Sequence, residues 1–254
     1  MKIKKKKGKP ILKRARQPAE AAAETRFQKI LKPVVKRWKL IAAVAAGVAV
    51  AAAAVGGYAW YRHDRELRAG RAYARVQERV TDEVKKAVEA GGKEGKVDED
   101  KIAAKTVAEL ENLVERFGDT ASGRAATYEL ASLYFDRGEY QKALRLFSDL
   151  EGKSSGLEAV LAAQGSADCH KALGEYDAAI TKYKIIFESH KDEFPGVPVA
   201  MSLGECYQQK GQLDEASKIY RYVLDYHGLS PYAPQAEREL EKVKAVMAVK
   251  RKPL

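Results

Sequence analysis

The stretch LASLYFDRGEYQKALRLF, residues 130–147, decides the fold because its pattern returns twice further along the chain. It returns as SADCHKALGEYDAAITKY at 166–183 and as LGECYQQKGQLDEASKIY at 203–220, and the central glycines of successive copies are 36 and 37 residues apart. This spacing is typical of stacked helical units, each of which buries an apolar face against the next. We therefore predict an all-α fold built as a helical-repeat solenoid.

Each copy carries the residue types that two closely packed helices need. Small residues on both helices allow close approach, the glycine between them permits a tight turn, and aromatic residues fill the remaining space. The small residues are Ala131, Ala167 and Gly204 on the first helices and Ala143, Ala179 and Ala216 on the second; the turn glycines are Gly138, Gly174 and Gly211; the aromatics are Tyr134, Tyr207, Phe147, Tyr183 and Tyr220.

The segments on either side of the three copies are expected to complete the solenoid, which we place at 98–254. Apolar residues between Ile102 and Phe117 recur at helical spacing. Near the other end, Ser230 and Pro231 have the residue types of an N-cap and a first helical turn. The helix after them is predicted to cover the end of the solenoid.

The repeated positions resemble the tetratricopeptide repeat, a helix-turn-helix unit of about 34 residues. The chain departs from that family in its longer period and in Ser166 and His170, which stand where Leu and Tyr are usual. The resemblance implies that the first helices line a concave surface that binds extended or helical polypeptide. Its variable positions map onto candidate partner-binding residues: Tyr128, Ser132, Phe135, Asp136, Gln164, Asp168, Lys171, Met201, Glu205, Gln208 and Gln209.

A long apolar run, LIAAVAAGVAVAAAAVGGYAWY, occupies residues 40–61 and contains no charged residue. A helix of this length spans roughly 30 Å, the thickness of a bilayer's hydrocarbon core. Trp38 and Trp60 stand at its two ends, where interfacial aromatics belong. We predict a single transmembrane helix; the alternatives are a cleaved signal peptide, whose apolar run is shorter, and a buried helix of a soluble protein.

Charge predicts the orientation of this helix. Residues 1–39 carry 15 Lys and Arg against Glu20 and Glu24, and such segments stay on the cytoplasmic side. The arginines between Arg62 and Arg79 weaken the asymmetry. We expect a largely disordered basic tail that contacts membrane lipid, and a domain in the periplasm of a bacterium with the helix in the inner membrane. No aromatic residue or motif interleaves the basic residues of the stretch 1–18, so nucleic acid is not an expected partner.

Two further features flank the solenoid. Residues 62–97 are predicted to be a juxtamembrane amphipathic helix that ends in the glycine-rich linker beginning at Gly91. Within the apolar run, Ala43, Gly47 and Ala51 recur at every fourth residue, a small-residue face through which a second membrane helix can pack. The expected division is therefore tail 1–39, transmembrane helix 40–61, juxtamembrane helix and linker 62–97, and solenoid 98–254.

The sequence shows no arrangement of catalytic residues. It contains no serine nucleophile elbow, phosphate-binding glycine loop or HExxH motif. The histidines His63, His170, His190 and His227 lack the spacing of metal ligands. We expect a protein that is not an enzyme and that has no metal site and no cofactor.

Cys169 and Cys206 occupy matching positions in adjacent repeats. Buried free thiols are the expectation, because neighbouring helix axes lie about 8–10 Å apart, farther than a disulfide usually reaches. A disulfide in an oxidising periplasm is the alternative.

The order of basic tail, single anchor, juxtamembrane helix and repeats resembles the ancillary SecYEG translocon subunits of Gram-negative bacteria, the YfgM type. This resemblance implies an inner-membrane adaptor whose partners are translocon subunits, a membrane-anchored chaperone or secreted polypeptide. The Lys-rich tail and the ending SPYAPQAEREL, residues 230–240, depart from that family. The ending resembles repeats of the cell-division coordinator CpoB and of outer-membrane assembly lipoproteins.

Two alternatives to the adaptor therefore stay open. One is a structural scaffold of another envelope complex, such as division, pilus or outer-membrane assembly machinery. The other places the domain in the cytoplasm, where the same concave surface binds chaperone tails.

Overall fold

The structure, a computed structural model, describes residues 37–90, 99–191 and 193–250. These residues form nine α-helices and no strand, which confirms the predicted all-α fold. The basic tail up to residue 36 and the linker at 91–98 lie outside the described residues. The helices are α1 Trp38–Ala90, α2 Glu99–Phe117, α3 Ala121–Asp136, α4 Tyr140–Lys153, α5 Gly156–Ala172, α6 Tyr176–His190, α7 Gly196–Gln209, α8 Leu213–His227 and α9 Ala233–Lys250.

The chain divides into two compact units, the first of which ends at Arg62. Its described part is the apolar half of α1, the one helix among the described residues whose length and composition would allow it to cross a membrane. Every residue from Arg37 to Arg62 is exposed, including Ala43, Gly47 and Ala51. Apart from its chain neighbours and the adjoining backbone of its own helix, no described atom lies within 4 Å of the position that a Cβ on Gly47 would take.

The second unit, which begins at His63, is a stack in which each of the helices α2 to α9 packs against the next one in the chain. Beyond these neighbours, α3 contacts α5 and α5 contacts α7. The first helices of successive pairs therefore lie side by side in one row, and α4, α6 and α8 form the other row. We call the row formed by α3, α5 and α7 the inner row.

The three central turns follow the repeat pattern. Gly138, Gly174 and Gly211 have φ of 75°, 77° and 72°, the left-handed region that a residue without a Cβ enters freely. In the first turn the N–H of Gly138 donates to the carbonyl of Phe135 and the N–H of Glu139 to that of Tyr134, at 2.9 and 2.8 Å. The other two turns repeat these bonds, so each inner-row helix ends in a Schellman motif.

The small and aromatic positions of the repeats form the core. The six small residues are buried, and a Cβ on Gly204 would come within 2.6 Å of the Tyr220 ring. Tyr183 and Tyr220 have no exposed surface, and Tyr134 and Phe147 are nearly as buried. Tyr207 differs, since it is only half-buried at the edge of two core clusters.

The second half of α1, residues 63–90, belongs to the packed core of the solenoid. Ala69 and Val76 are buried in the same cluster as Leu110 of α2 and Leu130 of α3. From the sequence alone the solenoid is expected to begin at residue 98, because the period-3.6 pattern of the segment before it shows an apolar face but not what covers that face. The packing shows that α2 and α3 cover it.

Polar contacts hold this half of α1 to the stack. The Glu66 carboxylate accepts the backbone N–H groups of Ala121 and Ser122 at 2.8 and 3.0 Å and so caps the first turn of α3. Burial acts to raise the pKa of Glu66, but these bonds and the Ser122 hydroxyl outweigh it and the net pKa is lowered. Arg79 donates to Glu109 of α2 at 2.8 Å.

The predicted N-cap of the last helix is wrong. The helix begins at Ala233, after a turn in which the Tyr232 carbonyl accepts the N–H groups of Gln235 and Ala236. The buried Ser230 hydroxyl has no hydrogen-bond partner among the described residues. Thr120, which aligns with Ser230 in the sequence, does cap its helix and accepts the N–H of Gly123 at 2.9 Å.

Candidate functional site

The inner row borders a groove that α1 closes at one end. A cavity of about 710 Å³ lies between the second half of α1, α3 and α5. We call this cavity the inner groove. The groove combines aliphatic and aromatic side chains with a few polar groups: Tyr73, Gln77, Arg124, Tyr128, Glu129, Ser132, Leu157, Glu158 and Leu161.

Tyr128 is held in the groove wall by packing. Its ring meets the edge of Phe147 with the ring centres 5.5 Å apart. Burial, with the nearby Asp168, raises the pKa of Tyr128, so the phenol stays protonated and can donate. Ser132 donates to the backbone carbonyl of Tyr128 at 3.0 Å. The hydroxyl of Ser132 is thus used within the helix.

The polar side chains of the groove form hydrogen bonds with each other. Tyr73 donates to Glu129 at 2.8 Å, and Gln77 donates to the same carboxylate oxygen. Burial, followed by this hydrogen bond, raises the pKa of Tyr73 to about 12. Arg124 donates to Glu158 across the groove at 3.0 Å. The inner groove therefore presents apolar surface framed by satisfied polar groups.

Beyond the cavity, the candidate residues of α5 and α7 form a second polar cluster. Lys171 donates to Ser202 at 3.2 Å and to Glu205 at 3.1 Å, linking the two helices. Gln235 of α9 reaches Glu205 at 3.5 Å. Gln208 accepts from the hydroxyl of buried Tyr220 at 3.1 Å. The hydrogen bonds of Lys171 and Gln235 connect α7 to α5 and to α9, and the side chains that form them are half-buried.

Asp168 is the most buried carboxylate of the candidate set. The hydroxyl of Tyr183 donates to it, and burial raises its pKa above the ordinary range. The adjacent Cys169 and the Cys206 thiol are buried free thiols, and burial raises their pKa to about 12 and about 11. Both cysteines are therefore protonated at neutral pH and poor nucleophiles.

The pH dependence of stability tests the environment of Asp168. Because its pKa is higher in the folded than in the unfolded chain, the wild-type protein loses stability as pH rises from the unfolded value near 4 through the folded value. Asp168→Asn keeps an acceptor for Tyr183 and removes the charge. We expect its melting temperature, relative to wild type, to rise between pH 4 and pH 7.

The measurement is thermal unfolding of the full-length protein in detergent, followed by circular dichroism at both pH values. Asp225→Asn, on an exposed position of α8, is the control and should show no such trend. A difference between Asp168→Asn and wild type that is equal at both pH values would contradict the assignment.

The remaining predicted partner-binding residues differ in their exposure and packing. Phe135 packs edge-on against Tyr140 with ring centres 5.2 Å apart, Asp136 and Gln209 are exposed at helix ends, and Gln164 is half-buried. Met201 needs correction. Only 3% of its surface is exposed, because it packs into the core cluster that α8 and the final helix cover.

Sequence reasoning missed Leu157, Leu161 and Glu158, which line the inner groove from the first turns of α5. The repeated stretch begins at residue 166, so the start of this helix had no aligned counterpart. Tyr73 lies in the segment predicted to be a juxtamembrane amphipathic helix, whose periodicity does not show that this residue lines a groove. Among the described residues, no group of three or more His, Cys, Asp or Glu side chains is arranged to hold a metal ion.

Residues 35–244 match the model of the tetratricopeptide repeat-like domain. The chain belongs to this family. None of the curated proteins compared with the chain matches it. Folds of the tetratricopeptide type are typically non-catalytic scaffolds whose extended concave surfaces bind proteins, and no catalytic family is indicated.

Solved structures share the fold at low sequence identity. The Q17M crystal structure of nearly identical TPR-like repeats from a putative kinesin light chain of Podosopora anserina is 17% identical, with a TM-score of 0.53 over 60% of this chain and 82% of that one. A tetratricopeptide repeat protein from Parabacteroides merdae is also 17% identical, with a TM-score of 0.52 over 69% of this chain and 61% of that one. Similarity at this level shows the fold alone.

Proposed function

We propose that this tetratricopeptide repeat-like protein is a membrane-anchored adaptor that binds polypeptide segments in its inner groove, as an ancillary translocon subunit or a periplasmic chaperone adaptor. The observation that carries the proposal is the groove of about 710 Å³ between α1, α3 and α5. Its exposed Leu157, half-buried Leu161 and two tyrosines offer apolar contacts.

The electrostatics of the groove support polypeptide over anionic ligands. Arg124, the one arginine among its described lining residues, is paired with Glu158, and Glu129 accepts from two neutral donors. Such a surface offers no excess of cations for phosphate groups, whereas apolar side chains and backbone amides of a bound segment suit it. Half-buried Ser202 and Glu205 extend the polar rim along the inner row.

Membrane anchoring rests on a separate set of observations. The family match begins at residue 35, so it includes the apolar segment as well as the solenoid. The described part of that segment is a continuous helix with every residue exposed, as a helix surrounded by lipid would be. The basic residues before it favour a cytoplasmic N-terminus and a periplasmic solenoid.

Site-specific photo-crosslinking in intact membranes tests the groove. A photoreactive residue at Leu157, which is 56% exposed, should capture translocon subunits, chaperones or secreted chains. The matched control is Tyr226, 73% exposed on α8, which should capture none of them. Exclusive capture of division, pilus or outer-membrane assembly components at Leu157 would favour the scaffold alternative, and capture of cytoplasmic proteins would overturn the orientation.

Replacement of the apolar segment of α1 tests whether the first unit contributes to partner binding. If the small face of Ala43, Gly47 and Ala51 packs against a partner helix, an unrelated transmembrane segment should abolish copurification of the partner. A Gly47→Leu variant should weaken copurification in the same way, whereas Ala49→Leu, which lies about 200° further around the helix on the opposite face, should not. Full retention of the partner after replacement would reduce the anchor to a tether.

A further inference from the structure

A second groove lies between α1 and α2. Two adjoining cavities of about 510 and 470 Å³ share Ala72, Arg75, Arg116 and Phe117. Arg68 and Arg71 line the first cavity, which we call the arginine groove. Its floor is apolar, and the Arg116 guanidinium lies 5.1 Å from the centre of the Phe117 ring.

The arginine groove is separate from the inner groove. Tyr73 and Gln77, which line the inner groove, each follow one of the arginines Arg71 and Arg75 by two residues. Two residues correspond to about 200° around a helix of 3.6 residues per turn. The two grooves therefore lie on opposite flanks of α1, and a ligand in one does not occupy the other.

Three of the four arginines that line this groove have no carboxylate partner among the described residues; the fourth, Arg68, is paired with Asp64 at 2.6 Å. No described carboxylate lies within ion-pair distance of Arg71, Arg75 or Arg116, and Glu78 is the one acidic residue among the described lining residues. The adjoining cavity shows the opposite case, because Arg79 pairs there with Glu83 and Glu109 at 2.7 and 2.8 Å. The excess of positive charge is thus local to the arginine groove.

We propose that the arginine groove is a second docking site, which binds an acidic polypeptide segment of a partner protein. Guanidinium groups form paired hydrogen bonds with carboxylates, and the apolar floor at Phe117 and Ala72 suits aliphatic side chains between the acids. The chain's own tail is not the occupant, since residues 1–39 carry 15 basic residues against two acidic ones. A concave site also fits a narrow segment better than a flat membrane surface.

The test uses the full-length protein in phosphatidylcholine nanodiscs with a photoreactive residue at Ala74, an exposed position in the groove. The probe is a fluorescent twelve-residue peptide of alternating Glu and Leu, and its counterpart has Gln in place of Glu. We expect cross-linking of the Glu peptide alone. Arg71→Glu with Arg75→Glu should reduce the yield about tenfold, because attraction becomes repulsion.

Arg145→Glu with Arg238→Glu changes the net charge equally at exposed positions elsewhere, and it should leave the yield within twofold. Equal yields from the Glu and Gln peptides, or an unchanged yield in the Arg71 and Arg75 variant, would overturn the proposal. The same cross-linking is repeated in nanodiscs that contain 30% phosphatidylglycerol, an anionic lipid. If the photoreactive residue at position 74 then captures lipid and no longer captures the peptide, the groove is a membrane contact and the proposal is overturned. Capture of partners at Leu157 tests the inner groove independently and also reports that the variants are folded.

Discussion

Tyr183→Ala is expected to lower the free energy of unfolding of the solenoid by about 4 kcal/mol, since truncation of a large buried ring costs about 3–5 kcal/mol. Tyr183 has no exposed surface and belongs to the core cluster that also contains Ala167, Ala179 and Leu203. Its removal leaves a cavity and also deprives Asp168 of its hydrogen-bond donor.

Two further variants separate these contributions. Tyr183→Phe keeps the ring and loses only the hydroxyl, so we expect a loss of about 1 kcal/mol. Tyr226→Ala removes a ring that is 73% exposed and should change stability by less than about 0.5 kcal/mol. Urea unfolding of the full-length protein in detergent, followed by circular dichroism, measures all three. Equal losses for the Phe and Ala variants would show that the ring contributes nothing.

Limited proteolysis identifies the part of the solenoid that the Tyr183→Ala substitution destabilises. Because a solenoid is stabilised by neighbouring units, the weakest region opens first. The Tyr183→Ala variant should be cleaved between α5 and α7 before the outer helices are attacked.

Gly123→Ala is expected to destabilise the protein by about 3 kcal/mol, although alanine is the better helix former by about 1 kcal/mol. A Cβ on Gly123 would lie 1.8 Å from the Phe117 carbonyl oxygen and 2.4 Å from its carbon. These are backbone atoms of the α2–α3 turn, and Glu66 and Thr120 hold that turn in place. Relief therefore requires the two helices to separate.

Gly152→Ala is the matched control. This glycine also lies within a helix, α4, but apart from its chain neighbours and its own helix backbone no described atom lies within 4 Å of the position its Cβ would take. Helix propensity then acts alone and should stabilise the protein by about 0.4–1 kcal/mol. Opposite signs for the two substitutions, measured by thermal unfolding, are the expected result. A stabilising Gly123→Ala would contradict the close packing of α2 and α3.

The repeat unit could be predicted from the sequence because its signals are local. A glycine at φ near 75° and the small residues around it occur at fixed offsets, and each has a steric reason that needs no knowledge of distant residues. For the same reason the buried tyrosines Tyr183 and Tyr220 were assigned correctly to the core.

The features that depend on neighbouring helices could not be predicted in this way. The apolar face of α1 was visible, but its covering by α2 and α3 was not, because periodicity identifies a face and not its partner. Met201 has the offset of a groove residue, yet the cluster completed by the final helix buries it. The arginine groove needs Arg116 and Phe117 beside Arg71 and Arg75, residues that are about 40 positions apart.

The succession of contacts has a consequence for how the chain acquires its structure. From α2 onward, each helix contacts mainly the helix before it and the helix after it, and the longer contacts reach only to the next helix but one. Because each helix packs against helices close to it in the sequence, a helix pair can fold before the later residues of the chain have been synthesised. The short loops between neighbouring helices also close quickly. The solenoid can therefore assemble vectorially, pair by pair, while its C-terminal half is still being synthesised.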